Sequence, residues 1–388
     1  MKILHTADWH VGKVLKNQPR FDEHVAALGD LVRIANDEDV DVVVVAGDLF
    51  ETATPNPQAQ GLVMTTLLRL RGEGRQVVVL AGNHDSQRLV DDVYRPVLGE
   101  LGIHVVGMPK RPDRGGTLTL TTRSGEVAKV AVLPFLSYRF AVRAAEVMLH
   151  ESSDHALDYA RKIGAFLNVL TADFADDTVN IVTTHGTVLG GRRGGGERDV
   201  QTLLGYELPP AVFPASAHYA ALGHLHRYQE IDGQCPIAYS GSPIALDFGE
   251  EANESVALVV RATPDARASV RAVPVTGGRT LRTLHGTLDQ VVAEGEHTGD
   301  AFLRVVLAQQ ASAGLAEQVR ELLPTTLEVK IDEQFRPRPK ERHSDRPSTL
   351  DRAPTDLFAD FLTEQNVADD RVAGLFAELL DEVTGGHD

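Results

Sequence analysis

Val40-Asp41-Val42-Val43-Val44-Val45-Ala46-Gly47-Asp48-Leu49-Phe50 decides the fold class. A half-solvated strand alternates apolar and polar residues. Four consecutive valines predict instead a strand buried on both faces, as in a sheet covered on each side. The run stops at Gly47-Asp48, a polar turn. Working outward, the same texture recurs in Lys2–Thr6, Gln76–Ala81, Val179–Thr184 and Tyr219–Leu222. Helical periodicity lies between them at Phe21–Asn36, Pro57–Arg71 and Leu89–Leu101. In the last, Val90, Val93, Tyr94, Val97, Leu98 and Leu101 recur at helical spacing. Strands alternating with helices predict an α/β fold, with β-sheets flanked by helices.

The chain has 388 residues, of which 43% are apolar and 24% charged. That is ordinary globular composition and allows two or three domains. No apolar stretch approaches the ~18 residues of a membrane span, so no membrane association is expected. The N-terminal residues have no apolar signal-peptide core, and a cytoplasmic location is expected. The single cysteine, Cys235, excludes an internal disulfide. The net charge of −17 argues mildly against nucleic acid as a partner. The charge is uneven, however: residues 356–388 hold nine acids and one base, whereas residues 336–352 hold six bases and three acids.

From about residue 272 the texture changes. Arg279–Gly286, Ala301–Leu307 and Leu327–Ile331 read as strands, Leu288–Glu294 and Ala316–Leu322 as helices. Such a unit is small enough to need a larger neighbour. The expected division is a first domain over 1–271, a small α+β domain over 272–335, a Pro- and charge-rich linker over 336–354, and a C-terminal helical hairpin over 355–388. In that hairpin Leu357, Phe358, Phe361 and Leu362 form one apolar stripe. Val372, Leu375, Phe376, Leu379, Leu380 and Val383 form another.

Each of the five apolar runs is followed by metal-ligand residue types: Asp8-Trp9-His10, Gly47-Asp48, Gly82-Asn83-His84-Asp85, His185-Gly186 and Gly223-His224-Leu225-His226. Ligands of open α/β sheets bind beyond the strand C-termini, so these residues should converge. Each motif alone reads more readily as a polar turn or a satisfied histidine. Five in one order, each beyond a strand, read as a site. Imidazole with carboxylate suits Mn, Fe or Zn rather than Mg or Ca, and no thiolate is in the set. Asp48 is central enough to bridge two ions. A pair of ions ~3.5–4 Å apart clamps a phosphate during phosphoester hydrolysis.

This ordered set resembles the calcineurin-like metallophosphoesterase superfamily. Asp8-Trp9-His10-Val11-Gly12-Lys13, Gly47-Asp48-Leu49-Phe50, Tyr239-Ser240-Gly241-Ser242-Pro243, Phe248-Gly249-Glu250 and Glu197-Arg198 resemble, within it, the bacterial SbcD family of nuclease subunits. The resemblance covers nearly the whole chain. It implies a sandwich of β-sheets flanked by helices and a nuclease that hydrolyses DNA phosphodiesters in repair, replication and recombination. Implied activities are a 3'-5' double-strand exonuclease and a single-strand and hairpin endonuclease. The resemblance also implies two Mn2+ ions per subunit: Asp8, His10, Asp48 and His226 would hold one, Asp48, Asn83, His185 and His224 the other. His84 would be the catalytic histidine, oriented by Asp85. Archaeal members often carry a histidine after the Gly-Asp-x-Phe run; here it is Glu51, and that histidine's role does not transfer.

The resemblance further implies that residues 272–335 are a capping domain that helps select DNA. The helices around Val63–Leu68 and Val90–Leu101 would form a homodimer interface. The tail would grip the coiled-coil base of an SbcC-like ATPase. Gly12-Lys13-Val14 is not a phosphate-binding loop, so ATP dependence must come from that partner. Lys13 and Arg88, beside metal motifs, are candidate contacts to double- or single-stranded DNA. A protein phosphatase or small phosphodiesterase is the rival reading. Such phosphatases usually follow Gly-Asp with Asp-Arg, whereas this chain has Leu49-Phe50-Glu51-Thr52. A small phosphodiesterase has no use for the cap, linker and tail. A non-catalytic scaffold is a second rival, disfavoured by the complete ligand set.

Overall fold

The computed structural model describes residues 1–137, 159–197, 207–336, 354–364, 371–372 and 374–376. They form two compact units, Met1–Arg336 and Pro337–Asp388.

In chain order the first unit begins with β1 (Lys2–Thr6), β2 (Val14–Leu15), β3 (Gln18–Pro19), α1 (Phe21–Asp37), β4 (Val42–Val45), α2 (Pro57–Arg71) and β5 (Gln76–Leu80). α3 (Arg95–Glu100), β6 (Ile103–Val106), β7 (Thr117–Thr121), β8 (Val127–Leu133), α4 (Tyr159–Leu170), β9 (Val179–His185) and β10 (Tyr219–Gly223) follow. Then come β11 (Gln229–Ile231), β12 (Ile237–Tyr239), β13 (Val256–Thr263) and β14 (Ala266–Pro274). One six-stranded sheet has the order β14-β13-β1-β4-β5-β6, the other β11-β12-β10-β9-β8-β7.

The valine run shows why the strands are apolar on both faces. Val42 and Val44 point between the sheets, where they join Ile3, Val78 and Leu80 against Val130, Ile181 and Tyr219. Val43 and Val45 point the other way, into a core with Leu28 and Leu31 of α1 and Val63 and Leu67 of α2. The second sheet does the same: Ala131, Val182 and Leu222 pack on Ile163, Phe166 and Leu167 of α4. The result is a helix–sheet–sheet–helix sandwich. β1, β4 and β5 run parallel in register, as do β8, β9 and β10, so their C-terminal ends collect on common edges.

His5 is sealed between the sheets, its Nδ1 2.8 Å from the Tyr219 hydroxyl and its Nε2 3.0 Å from the Leu222 carbonyl. Burial pushes its pKa down to about 3 from an ordinary 6.5. The unfolded chain therefore takes up this proton below pH 6.5 and the folded chain does not, so stability falls as pH drops from 6.5 towards 3. At pH 5 the loss from this group is on the order of 2 kcal/mol. We expect His5→Gln, which cannot titrate, to flatten the fall in melting temperature between pH 7 and 5 relative to the parent chain. Superimposable slopes would remove His5 from the acid sensitivity.

Two segments depart from the sequence reading. Leu89–Leu101 is not one α-helix: Leu89–Tyr94 forms a π-helical turn before α3. Pro96 has no amide to continue the ladder. Asp91, within the wide turn, accepts the amides of Gly107 and Met108 at 3.0 and 3.1 Å and the Lys110 ammonium at 2.9 Å. The second departure is at the expected boundary of 272. β14 pairs with β13 as far as Pro274, so the larger domain extends past it.

Beyond that strand, β15 (Leu281–Gly286), α5 (Leu288–Gly295), β16 (Phe302–Leu307), α6 (Leu315–Leu322) and β17 (Thr326–Ile331) build a three-stranded parallel sheet with its own small core. Its junction with the sandwich is anchored by Phe302, which packs with Leu15, Phe248 and Leu281. The fully buried Arg20 guanidinium lies 5.5 Å from the Phe302 ring centre and that of Arg279 4.1 Å. Glu23 pairs with Arg20 and accepts the Arg279 amide at 2.8 Å.

In the second unit, α7 (Pro354–Glu364) carries the first tail stripe. The Phe358 ring stacks on Phe361 and, at 4.0 Å, on Phe376. Most of the expected linker lies outside the described residues, as do Leu379, Leu380 and Val383.

Candidate metal centre

All five loops that leave β1, β4, β5, β9 and β10 meet at one edge of the sandwich. Backbone bonds tie them together. The Asp8 amide donates to the Gly47 carbonyl, the His10 amide to the Asp48 carbonyl and the Gly186 amide to the Gly223 carbonyl, at 3.0–3.2 Å. Close approach needs residues without side chains. A Cβ on Gly82 would lie 2.1 Å from Asp48 Oδ1, and one on Gly223 2.0 Å from the Ala46 carbonyl oxygen. Asp8, His10, Asp48 and His224 all hold positive φ, at 54°, 46°, 50° and 109°. Non-glycine residues hold that backbone at a cost, and such outliers gather at functional sites.

Asp48 is the geometric centre. Its Oδ2 lies 3.3 Å from His185 Nε2 and 3.5 Å from His10 Nε2, while its Oδ1 accepts the His84 amide at 2.8 Å. Asn83 Oδ1 is 2.9 Å from both His185 Nε2 and His224 Nδ1. The Asp8 carboxylate accepts the His224 amide at 2.9 Å. Donor atoms of Asp8, His10 and His226 come within 4.8 Å of one another, as do those of Asp48, His185 and His224. A third such group joins His10, Asp48 and His84.

Partners behind the rings decide which nitrogen faces inward. His185 Nδ1 is 2.8 Å from the Ala46 carbonyl, His10 Nδ1 3.0 Å from Glu51 and His226 Nδ1 2.7 Å from Glu250. Those oxygens accept, so Nδ1 carries the hydrogen and Nε2 is left with its lone pair, as a metal-ligating histidine requires. His10 Nε2 is buried and has no hydrogen-bond partner among the described residues. This orphan nitrogen, with carboxylates, an amide oxygen and further imidazoles around it, fits a divalent transition metal.

The electrostatics agree. Burial works against charge on His185 and His226, yet Asp48 and Asp8 around the first and Glu250 and Asp8 around the second lift both to about 9. Burial lowers His10 to about 4 despite Glu51, and lowers His224 to about 3 with help from His185. Burial would raise Asp48, but His185, His10 and His84 hold it well below the usual carboxylate range. Burial pushes Asp8 up to about 7. The centre is thus a buried field that favours added positive charge.

His84 sits at the rim, half-buried, with Nδ1 2.8 Å from the Glu51 carbonyl and its ring centre 4.6 Å from that of His10. The carbonyl accepts from Nδ1 and leaves Nε2 with its lone pair. Asp85 does not supply this orientation. Its carboxylate accepts the amides of Gly82, Leu49 and Phe50 at 2.9–3.2 Å, which staples the second and third loops together. Glu51, which in sequence marks only a departure from the archaeal histidine, backs His10 and pairs with Lys13 at 3.0 Å. Glu250 and Glu197 lie in sequence motifs that by themselves assign them no role. Both surround His226, Glu197 accepting its amide at 2.9 Å. Phe248-Gly249-Glu250 was therefore the one available signal for Glu250. Arg198 lies outside the described residues.

Residues 1–228 match the calcineurin-like phosphoesterase family. Residues 278–366 match a family described as the Type 5 capsule protein repressor C-terminal domain. The chain is 31% identical over 397 aligned positions to the D subunit of nuclease SbcCD from Bacillus subtilis (strain 168), covering 99% of this chain and 98% of that one. The Rhodobacter capsulatus protein of the same name is 38% identical over 261 positions, 64% of each chain. That of Escherichia coli (strain K12) is 32% identical over 306 positions, covering 77% of this chain and 74% of the relative.

Proposed function

The chain belongs to the calcineurin-like phosphoesterases and, within them, to the D subunits of SbcCD nucleases, and from that premise we propose how its residues hydrolyse DNA. The observation that carries the reading is the convergence of five strand ends on Asp48. Asp8, His10, Asp48 and His226 would hold one Mn2+, and Asp48, Asn83, His185 and His224 a second. When bound, such ions would polarise a phosphodiester and lower the pKa of water. The protein's own part is orientation and proton traffic. Glu51, Glu250 and the Ala46 carbonyl fix the rings of His10, His226 and His185. His84, free at Nε2, passes a proton at the scissile phosphate. Asp85 keeps the loops in register and does not touch substrate.

The substrates we assign are those of a 3'-5' double-strand exonuclease and a single-strand and hairpin endonuclease. The direct test incubates the full chain and Mn2+ with linear, hairpin and single-stranded DNA, beside a phosphopeptide and a cyclic nucleotide. DNA cleavage alone supports the reading; preference for phosphopeptide or cyclic nucleotide defeats it.

No helix among the described residues is long and apolar enough to cross a membrane. Leu68 of α2 and Val93, Val97 and Leu101 in and around α3 are exposed. A stripe of that kind fits a homodimer face. Phe361 and Leu375 in the tail are also exposed, beside the stacked Phe358 and Phe376. These would dock on the coiled coil of an SbcC-like ATPase. Each buried Phe or Leu is worth ~1.5–3 kcal/mol. Phe361→Asp with Leu375→Asp should therefore weaken ATPase capture at least ~100-fold. Both are surface sites, so the melting temperature of the isolated chain should hold. Undiminished co-purification with the ATPase would rule this docking face out.

A further inference from the structure

The proposed hydrolytic centre opens on one side into a crevice of about 300 Å³ lined by Asn83, Ser86, Gln87, Arg88 and Phe135. Phe135 stands out there. It follows β8 and lies between Leu133 and Leu136, which are buried in the core, yet Phe135 itself is only half-buried. Its backbone is pinned on both sides: the amide donates to the Ala81 carbonyl at 3.0 Å, and the carbonyl accepts Gln87 Nε2 at 2.7 Å. The ring lies edge-on to His185, centres 6.2 Å apart, and nearly parallel to His224 at 6.5 Å. An aromatic ring on a hydrogen-bonded backbone thus stands beside the proposed hydrolytic centre. Exposing a pinned aromatic ring leaves apolar area in water that the core does not use. Across the same crevice Arg88 is exposed, and Ser86 and Gln87 add polar groups.

We propose that this crevice is a subsite for one unpaired nucleotide next to the scissile phosphate, its base stacked on Phe135 and its outer phosphate paired with Arg88. The proposal rests on the nuclease reading and specifies how the strand is held. Every base has a π-face, so stacking here fixes strand position without reading sequence. A duplex keeps its bases stacked on one another, so this subsite favours ends, loops and single strands, where a base is free to turn.

The test uses two single-stranded oligonucleotides with Mn2+ and the full chain. They are identical except that one carries an abasic sugar at the nucleotide flanking the cleaved bond. Base–aromatic stacking of ~1–3 kcal/mol corresponds to ~5- to 150-fold in kcat/KM, and the parent chain should prefer the intact strand within that range. In Phe135→Ala the ratio should collapse towards one. Phe135→Trp should restore it. Bound Mn2+, measured on both variants, should match the parent. Arg88→Ala should raise KM and lessen its dependence on salt, as loss of one phosphate contact requires. An unchanged base-to-abasic ratio in Phe135→Ala overturns the subsite while leaving the nuclease reading intact. Loss of Mn2+ from that variant would show that the ring merely supports His185 and His224. A parent chain that cleaves neither oligonucleotide overturns the nuclease reading and the subsite with it.

Discussion

Asp48→Ala is expected to abolish hydrolysis and to lower metal content in both halves of the centre. The geometry sets the Asp48 carboxylate between two imidazoles, 3.3 Å from His185 and 3.5 Å from His10. If Asp48 is shared between two ions, its removal would open a coordination slot on both. The effect is compounded in the protein itself. His84 loses the acceptor of its amide, so the rim shifts as well. Elemental analysis after reconstitution with Mn2+ provides the check. Two full equivalents bound to Asp48→Ala would refute the bridging role, whatever the activity.

His84→Ala should behave in the opposite way: metal and DNA binding kept, turnover reduced by roughly 10²–10⁴, the scale of a positioned proton-transfer group. Its Nδ1 is committed to the Glu51 carbonyl, so the ring has one nitrogen left for chemistry. The ring is also half-buried rather than sealed in the core. Binding of labelled DNA and Mn2+ content, measured beside single-turnover rate, separates the roles. If His84→Ala loses one equivalent of metal, then His84 is a ligand with His10 and Asp48, which come within reach of it.

Asp85 shows where motif and structure part. Adjacent to His84 in sequence, it points the other way and gathers three backbone amides. Its neighbour in the chain is not its partner in space.

What the amino-acid sequence determined by itself was the scaffold and the donor set. Strands buried on both faces leave a mark that needs no tertiary knowledge: Val42-Val43-Val44-Val45 is apolar at every position because alternate valines enter different cores. Parallel strands in register carry their following loops to one edge, so the residues after them converge although Asp8 and His226 are 218 positions apart. That is a rule of sheet topology, and the sequence obeys it.

Tertiary structure alone decided how each donor is aimed. Glu51 backs His10 from 41 positions away and the Ala46 carbonyl backs His185 from 139. No periodicity encodes such pairs. They depend on loop paths that hold left-handed backbone at Asp8, His10 and Asp48, on glycines that let the loops touch, and on which ring nitrogen an acceptor happens to meet. The role of Asp85 was illegible for the same reason. A carboxylate takes whichever amides the folded loops present to it, and those of Leu49 and Phe50 arrive only when β4 and β5 pair. The position of the half-buried Phe135 is decided in the same way, by backbone bonds to Ala81 and Gln87 beyond the end of β8.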